Sequence, residues 1–338
     1  MASPQTTTTT LPVVAIAGAT GHLGKHVVSA FLASNLRNRF SEVILLSRQD
    51  SHQHPPTGLP TPSNSTHPKL TIRKYTEDDP ASITRALYGA SILINTVGPS
   101  GHSFKEKLLH AIPQTSIQLY FPSEFGVNHY VHDFPHLEWD AKKKHMALAE
   151  QLLTQGPKKV KICRVFCGLF LEDSIGPWFG FDTKRGRYES VGSSRVPVSF
   201  TSLGDVGRSV AALASLRVDE VPEVVHVAGD SRSVVEIAEV MGGAGGGGED
   251  GKGEIEVVEV GLEEYKRDVT TGKKDSWDPA PYLRFLMGEG KIMHTRDGLG
   301  DDDELVNPGE RLWKWETLRD LAERTGGRPW GDYAWPPK

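Results

Sequence analysis

Short apolar runs alternate along the chain with segments of helical periodicity. Residues 11–17 form an apolar run that ends in glycines, and 22–36 repeat their apolar residues at helical spacing. Apolar runs recur at 42–47, 70–75, 91–97, 116–121 and 160–165, and helical patterns fall between them at 80–89, 103–111 and 137–154. Asp78, Asp79 and Pro80 open the second of these helices with a strong N-terminal signal. Strands and helices in this order predict an α/β fold with a Rossmann-type, doubly wound parallel sheet.

After about residue 170 the pattern is less regular, with glycines, aromatics and short strands such as 223–228. That suits a smaller C-terminal lobe that binds substrate. The expected organisation is a disordered tail at 1–12, a nucleotide-binding domain at 13–170, and a mainly substrate-binding lobe at 171–338 with some segments returning to the first domain. Residues 51–69, rich in Pro, Ser, Thr and His, read as a surface insertion, 242–253 as a glycine-rich linker, and the Pro- and Trp-rich tail 330–338 carries no signal.

Composition narrows the function classes. The 338 residues are 38% hydrophobic and 24% charged, with a formal net charge of −5. No apolar run reaches the roughly 20 residues that span a bilayer. The Thr-rich start has no basic or apolar region of a signal peptide. A mildly acidic chain gives no reason to expect nucleic acid. The two cysteines, Cys163 and Cys167, sit four apart in an apolar run, badly placed for a disulfide and too few for zinc. They read as small buried hydrophobes in a reducing, cytoplasmic compartment.

The first strand leads into Gly18-Ala19-Thr20-Gly21-His22-Leu23-Gly24, which opens the first helix. In such a loop Gly18 allows the tight turn, Gly21 the approach of a pyrophosphate, and Gly24 close packing of helix on strand, while free N–H groups face the phosphates. The second strand ends in Ser47-Arg48, where an acidic residue would bind the ribose hydroxyl of NAD. Arginine there suits a 2′-phosphate, so NADP is the expected cofactor. Thr96, Val97 and Gly98 end the fourth strand with small residues that let the cofactor cross the sheet edge.

The segment Phe121-Pro122-Ser123-Glu124-Phe125-Gly126 closely resembles the signature of the NmrA-like and isoflavone-reductase-like proteins, which are atypical short-chain dehydrogenases. The glycine loop, the run Gly204-Asp205-Val206-Gly207-Arg208 and the helix beginning near Val234 resemble theirs too, and 13–240 is covered best. The resemblance implies an NADPH-dependent reductase, of the kind found in fungal secondary metabolism, that passes a hydride to a small enone, imine, benzylic ether or other aromatic metabolite. The family's aromatic-x-x-Lys pattern falls on Trp139 to Lys142, so Lys142 is the implied catalytic lysine and a contact to the nicotinamide ribose. Ser123, Glu124 and Phe125 are expected at the nicotinamide end, with Glu124 and Phe125 toward substrate; Phe166, Cys167 and Gly168, at the sixth strand's end, are expected as the opposite wall, and Phe170, Trp178 and Phe179 as an apolar pocket for a flat substrate. On helical spacing Lys142 also falls in the stripe of Trp139, Met146, Ala149 and Leu153, with Lys144 opposite.

Val127 stands where some reductases of the group carry a histidine, so that acid role does not transfer. His129, His132 and His136 share a loop without a second ligand pair, and no metal is expected. None of the eight tyrosines has a lysine four positions on, which argues against the usual short-chain mechanism. A non-catalytic, NADP(H)-sensing regulator that binds a transcription factor is the alternative. The expected partner is a small-molecule substrate, for a monomer or a homodimer.

Overall fold

Val14, Ala15, Ile16 and Ala17 are fully buried in the first strand, which lies inside a six-stranded sheet. The computed structural model describes residues 11–33, 35–49, 67–247, 254–272 and 277–333. Most of the expected tail and insertion, and part of the expected glycine linker, lie outside the described residues. The chain divides into two compact units.

The first unit takes residues 1–123, 148–163 and 210–221. Its elements are β1 (Val13–Ala17), α1 (Gly24–Leu32), β2 (Glu42–Arg48), β3 (Lys69–Tyr75), α2 (Pro80–Ala86), β4 (Ile92–Asn95), α3 (His102–Ala111), β5 (Leu119–Phe121), the end of α4 (Leu137–Ala149) and β6 (Lys161–Ile162). The strands pair in parallel in the order β3-β2-β1-β4-β5-β6. This is the doubly wound order, whose ligand crevice lies where the order reverses, between β1 and β4. Continuous apolar strands such as Val43-Ile44-Leu45-Leu46 are what a sheet covered on both faces requires. The Asp79 side chain accepts from Ala81 N at 3.0 Å and starts α2 as the sequence predicts.

The second unit takes 124–147, 164–209 and 222–338. It thus takes the second half of the signature segment, from Glu124, and most of α4, which the sequence reading assigns to the nucleotide-binding domain, while 210–221 return to the first unit. The run expected as one strand at 160–165 is broken at Cys163. Its first part is β6, and its second is β7 (Arg164–Phe166), which pairs instead with β12 (Val224–His226). The remaining elements are β8 (Leu169–Phe170), α5 (Leu171–Ser174), β9 (Phe181–Asp182), β10 (Arg187–Val191), β11 (Val198–Thr201), α6 (Leu203–Ala214, which ends in the first unit), β13 (Asp230–Arg232), α7 (Val234–Gly243), β14 (Glu256–Val260), α8 (Leu262–Thr271), α9 (Ala280–Gly288), α10 (Asp303–Val306) and α11 (Leu318–Thr325). Ser233 and Glu236 form a reciprocal cap on α7, which runs to Gly243, into the segment expected as linker. A core around Leu171, Ile175, Phe181, Tyr188, Phe200 and Phe285 holds this unit together.

Candidate functional site

In the first unit the glycine loop is built by close approach. Gly18 has φ +78°, and a Cβ there would meet the Thr96 carbonyl carbon at 2.8 Å. A Cβ on Gly24 would lie 2.0 Å from the Gly18 carbonyl oxygen and 2.9 Å from Thr96 Oγ1. Only glycine lets β1, the loop and α1 come together in this way. Thr96 Oγ1 donates to the Ala17 carbonyl at 2.8 Å and ties the ends of β1 and β4. Ser123 Oγ donates to the Val97 carbonyl at 2.9 Å.

A polar cavity of about 370 Å³ opens beside this loop, lined by Gly18, Thr20, Ser47, Arg48 and Val97 among others. These residues were expected at a dinucleotide site, and one cavity gathers them. Tyr75, Glu77, Ser100, Gly101 and Phe104 line it as well and were missed from the sequence. Tyr75 stacks on Phe104 at 4.6 Å between ring centroids. Burial, with Glu77 nearby, pushes the Tyr75 hydroxyl up to about 12 against the pull of Arg48, so it stays protonated.

The second unit holds a separate, mainly apolar cavity of about 410 Å³. α4 places Glu138, Trp139 and Lys142 on its wall, and Phe125, Gly126 and Val127 of the signature loop form another side. Gly168, Phe170, Trp178 and Phe179 complete most of the rest. Lys142 therefore sits among the aromatic residues expected to face substrate. Its side chain is 14% exposed, and its Nζ lies 3.6 Å from Glu138 Oε1, one helical turn away. Glu138 was not singled out from the sequence, although its i,i+4 spacing to Lys142 was legible there. Asp173, Asp278, Leu283 and Trp330 also line this cavity and were missed.

Not every expected residue lines one of the two cavities: Ala19, Gly21, His22, Leu23, Gly24, Thr96, Gly98 and Ser123 lie outside both linings, as do three more. Glu124 is 1% exposed, accepts from the Tyr130 hydroxyl at 3.1 Å and lines neither cavity. Phe166 and Cys167 are 1% and 0% exposed and also line neither. Phe166 is packed among His129, Tyr130 and His226, and Cys167 N donates to the Gly126 carbonyl. Burial pushes the Cys167 thiol up to about 12, against the pull of Lys142, so it stays a thiol. Among the described residues no group of three or more His, Cys, Asp and Glu side chains is placed to hold a metal ion, and no helix is long and apolar enough to cross a membrane.

Buried histidines set the acid response of this unit. Burial first, then Lys142 and Lys143, holds His129 down at about 2, and burial holds His132 and His294 down at about 4. His129 Nε2 stands 3.4 Å from Glu124 Oε2, yet burial keeps the ring neutral, so the contact is polar and not ionic. His136 and His226 are lowered by burial too. A histidine with a lowered folded pKa stabilises fully above its unfolded value near 6.5, and this is lost as pH falls toward the folded value. Asp303, pushed up to about 7 by burial, opposes this, as do Glu172 and Asp205. The five histidines outnumber the three carboxyls, each contributing up to about 1.4 kcal/mol per pH unit within its window. The expected result is a melting temperature that falls from pH 7 to pH 5, followed by circular dichroism. A melting temperature that rises over that range would contradict neutral buried rings.

A model of the NmrA-like family matches residues 11–248. An isoflavone reductase homolog from Zea mays is 28% identical over 116 residues, 34% of this chain and 36% of that protein. The chain is thus matched over about a third of the length of that curated relative. The solved structure of leucoanthocyanidin reductase from Vitis vinifera in binary complex with NADPH has a TM-score of 0.67 and 17% identity. A crystal structure of isoflavone reductase has a TM-score of 0.69 and 17% identity. Each comparison covers 93% of this chain and 99% of the other, and at this identity the likeness is one of fold.

Proposed function

Since the chain belongs to the NmrA-like family, we propose that it is an NADPH-dependent reductase of a small aromatic or conjugated metabolite, an enone, an imine or a benzylic ether of secondary metabolism. The observation that carries this reading is Lys142, a cation held in an aromatic cavity and braced by Glu138. A charge in such a place calls for a partner and a purpose.

The first unit fits the cofactor. The close contacts at Gly18 and Gly24 admit no Cβ and fix the loop beside the polar cavity. The N–H groups of the loop and of the start of α1 would hold the pyrophosphate, and Ser47 and Arg48 the 2′-phosphate. Bound there, NADPH supplies the hydride. The chain's own residues bind and orient the substrate and manage its proton. Lys142 Nζ would give a proton or a hydrogen bond to the substrate heteroatom on which charge develops. Glu138 fixes the direction of that ammonium. Trp139, Phe170 and Trp178 would keep water away and pack against a flat substrate. A cytoplasmic setting is in keeping with the two buried cysteines, which are not joined in a disulfide.

A dinucleotide-sensing regulator has no use for a lysine in an apolar cavity, which favours catalysis. The test is NADPH oxidation by the purified protein against a panel of enones, imines and benzylic ethers. Turnover of at least one class is expected, and NADPH binding without turnover across the panel would favour the regulator. Arg48→Ala is expected to lower NADPH affinity by roughly tenfold to hundredfold, the loss of a charge-assisted contact, and to leave NADH affinity unchanged. Equal losses for both would put the phosphate contact elsewhere.

A further inference from the structure

The apolar cavity of the second unit is bordered by a residue whose conformation core packing does not explain. Trp330, in the turn after α11, has φ +63°, a left-handed conformation that is costly for a bulky side chain and persists where the surroundings enforce it. Yet the residue stays 39% exposed, so burial in a core is not what holds it there. The turn itself is clamped. A Cβ on Gly327 would meet the Met241 carbonyl oxygen at 2.1 Å, Thr183 Oγ1 donates to the Pro329 carbonyl at 2.5 Å, and the Trp330 indole N–H donates to the Glu172 carbonyl at 2.9 Å. The result is a large indole laid on the rim of the cavity, lining it and facing solvent at once.

Trp178 backs this indole. The two rings meet edge to face at 5.0 Å, and Tyr333 lies 5.8 Å from each. Trp178 is fixed in turn, because its indole N–H donates to the Asp173 carbonyl at 2.9 Å and a Cβ on Gly176 would meet its ring at 2.7 Å. A rigid aromatic corner limits what fits beside it, and at about 410 Å³ the cavity is near the small end of the range for ligand sites. Building on the reading of this cavity as the substrate site, we propose that Trp330 sets an upper size limit on the substrate. A fused two-ring system fits, and the same system carrying a further aryl group has to push the indole off the Glu172 carbonyl. Without such a limit the larger ligand would bind tighter, because it buries more apolar surface. The limit therefore has the opposite sign to area burial.

The test is equilibrium dialysis of the full-length protein, without nucleotide, against naphthalen-2-ol and 6-phenylnaphthalen-2-ol. The parent is expected to bind the smaller probe at least about tenfold tighter. Trp330→Gly removes the indole and suits the left-handed backbone, so the fold is kept, as circular dichroism will show. In this variant the larger probe should bind at least as tightly as the smaller, a relative gain of about tenfold or more. Trp330→Phe, with a smaller ring on the same backbone, should give an intermediate ratio. A parent that binds the larger probe as tightly as the smaller, no binding of either probe, or variants that keep the parent's ratio would overturn the proposal. Because neither nucleotide nor turnover enters the measurement, the two readings fail separately. A size limit without turnover of any compound class would sink the reductase and leave the limit standing, and turnover of phenyl-extended substrates as fast as of compact ones would do the reverse.

Discussion

Lys142→Ala is expected to lower turnover by about 10²–10⁴-fold, the usual range for loss of a positioned general acid, while NADPH binding stays largely intact. The reason lies in where the side chain is held. α4 carries Glu138, Trp139 and Lys142 along one wall of the cavity, and Trp139 is 3% exposed, which fixes the helix face. Lys142 lines the cavity with its Nζ 3.6 Å from Glu138 Oε1, and among the described residues no other lysine lines it to take its place. Glu138→Gln should act more mildly and mostly on kcat, because the ammonium remains but loses its direction. The measurement is steady-state kinetics with the best substrate of the panel, set beside calorimetric NADPH binding for the same variants. Full activity in Lys142→Ala would remove the catalytic assignment, and loss of binding in step with turnover would make the lysine structural.

Gly24→Ala is expected to be the most damaging single methyl in the first unit. The added carbon would sit 2.0 Å from the Gly18 carbonyl oxygen, against backbone that cannot step aside without opening the loop. Overpacking of this kind costs about 1–3 kcal/mol, or roughly 5 °C in melting temperature. The larger loss is in binding. If the loop shifts, two or more N–H groups no longer face the pyrophosphate, and NADPH affinity should fall by roughly hundredfold or more. Gly242→Ala in α7 is the control, since a Cβ there meets nothing within 4 Å and alanine favours the helix. Equal behaviour of the two variants would mean that the close approach at Gly24 does not matter.

What the sequence discloses follows from how local each signal is. The apolar strand Val43-Ile44-Leu45-Leu46 and the capped start of α2 are written in adjacent residues, so they are legible at once. Lys142 is legible because the period of one helix puts it in the stripe of Trp139, Met146, Ala149 and Leu153, all buried, while Lys144 is exposed. The break at Cys163 was not read, although Lys161 and Arg164, three positions apart, already interrupt the alternation of a single strand; what changes there is the pairing partner, from β5 to β12. Glu124, expected to face substrate, is buried, with Oε1 accepting from Tyr130 and Oε2 beside His129, and neither contact can be read from the motif. Trp330 was missed for a different reason. Nothing within ten residues of it reports that it meets Trp178, and such a contact exists only through the packing of α11 and the turn after it. Asp278 and Leu283, which come to the cavity from the start of α9, were hidden in the same way.

Isothermal titration of the purified protein with NADPH and with NADH decides whether this chain binds NADPH for chemistry at Lys142. NADPH should bind at least about tenfold tighter than NADH, as one charge-assisted contact from Arg48 would provide. Absence of binding by either nucleotide would contradict it and leave the glycine loop as a structural turn.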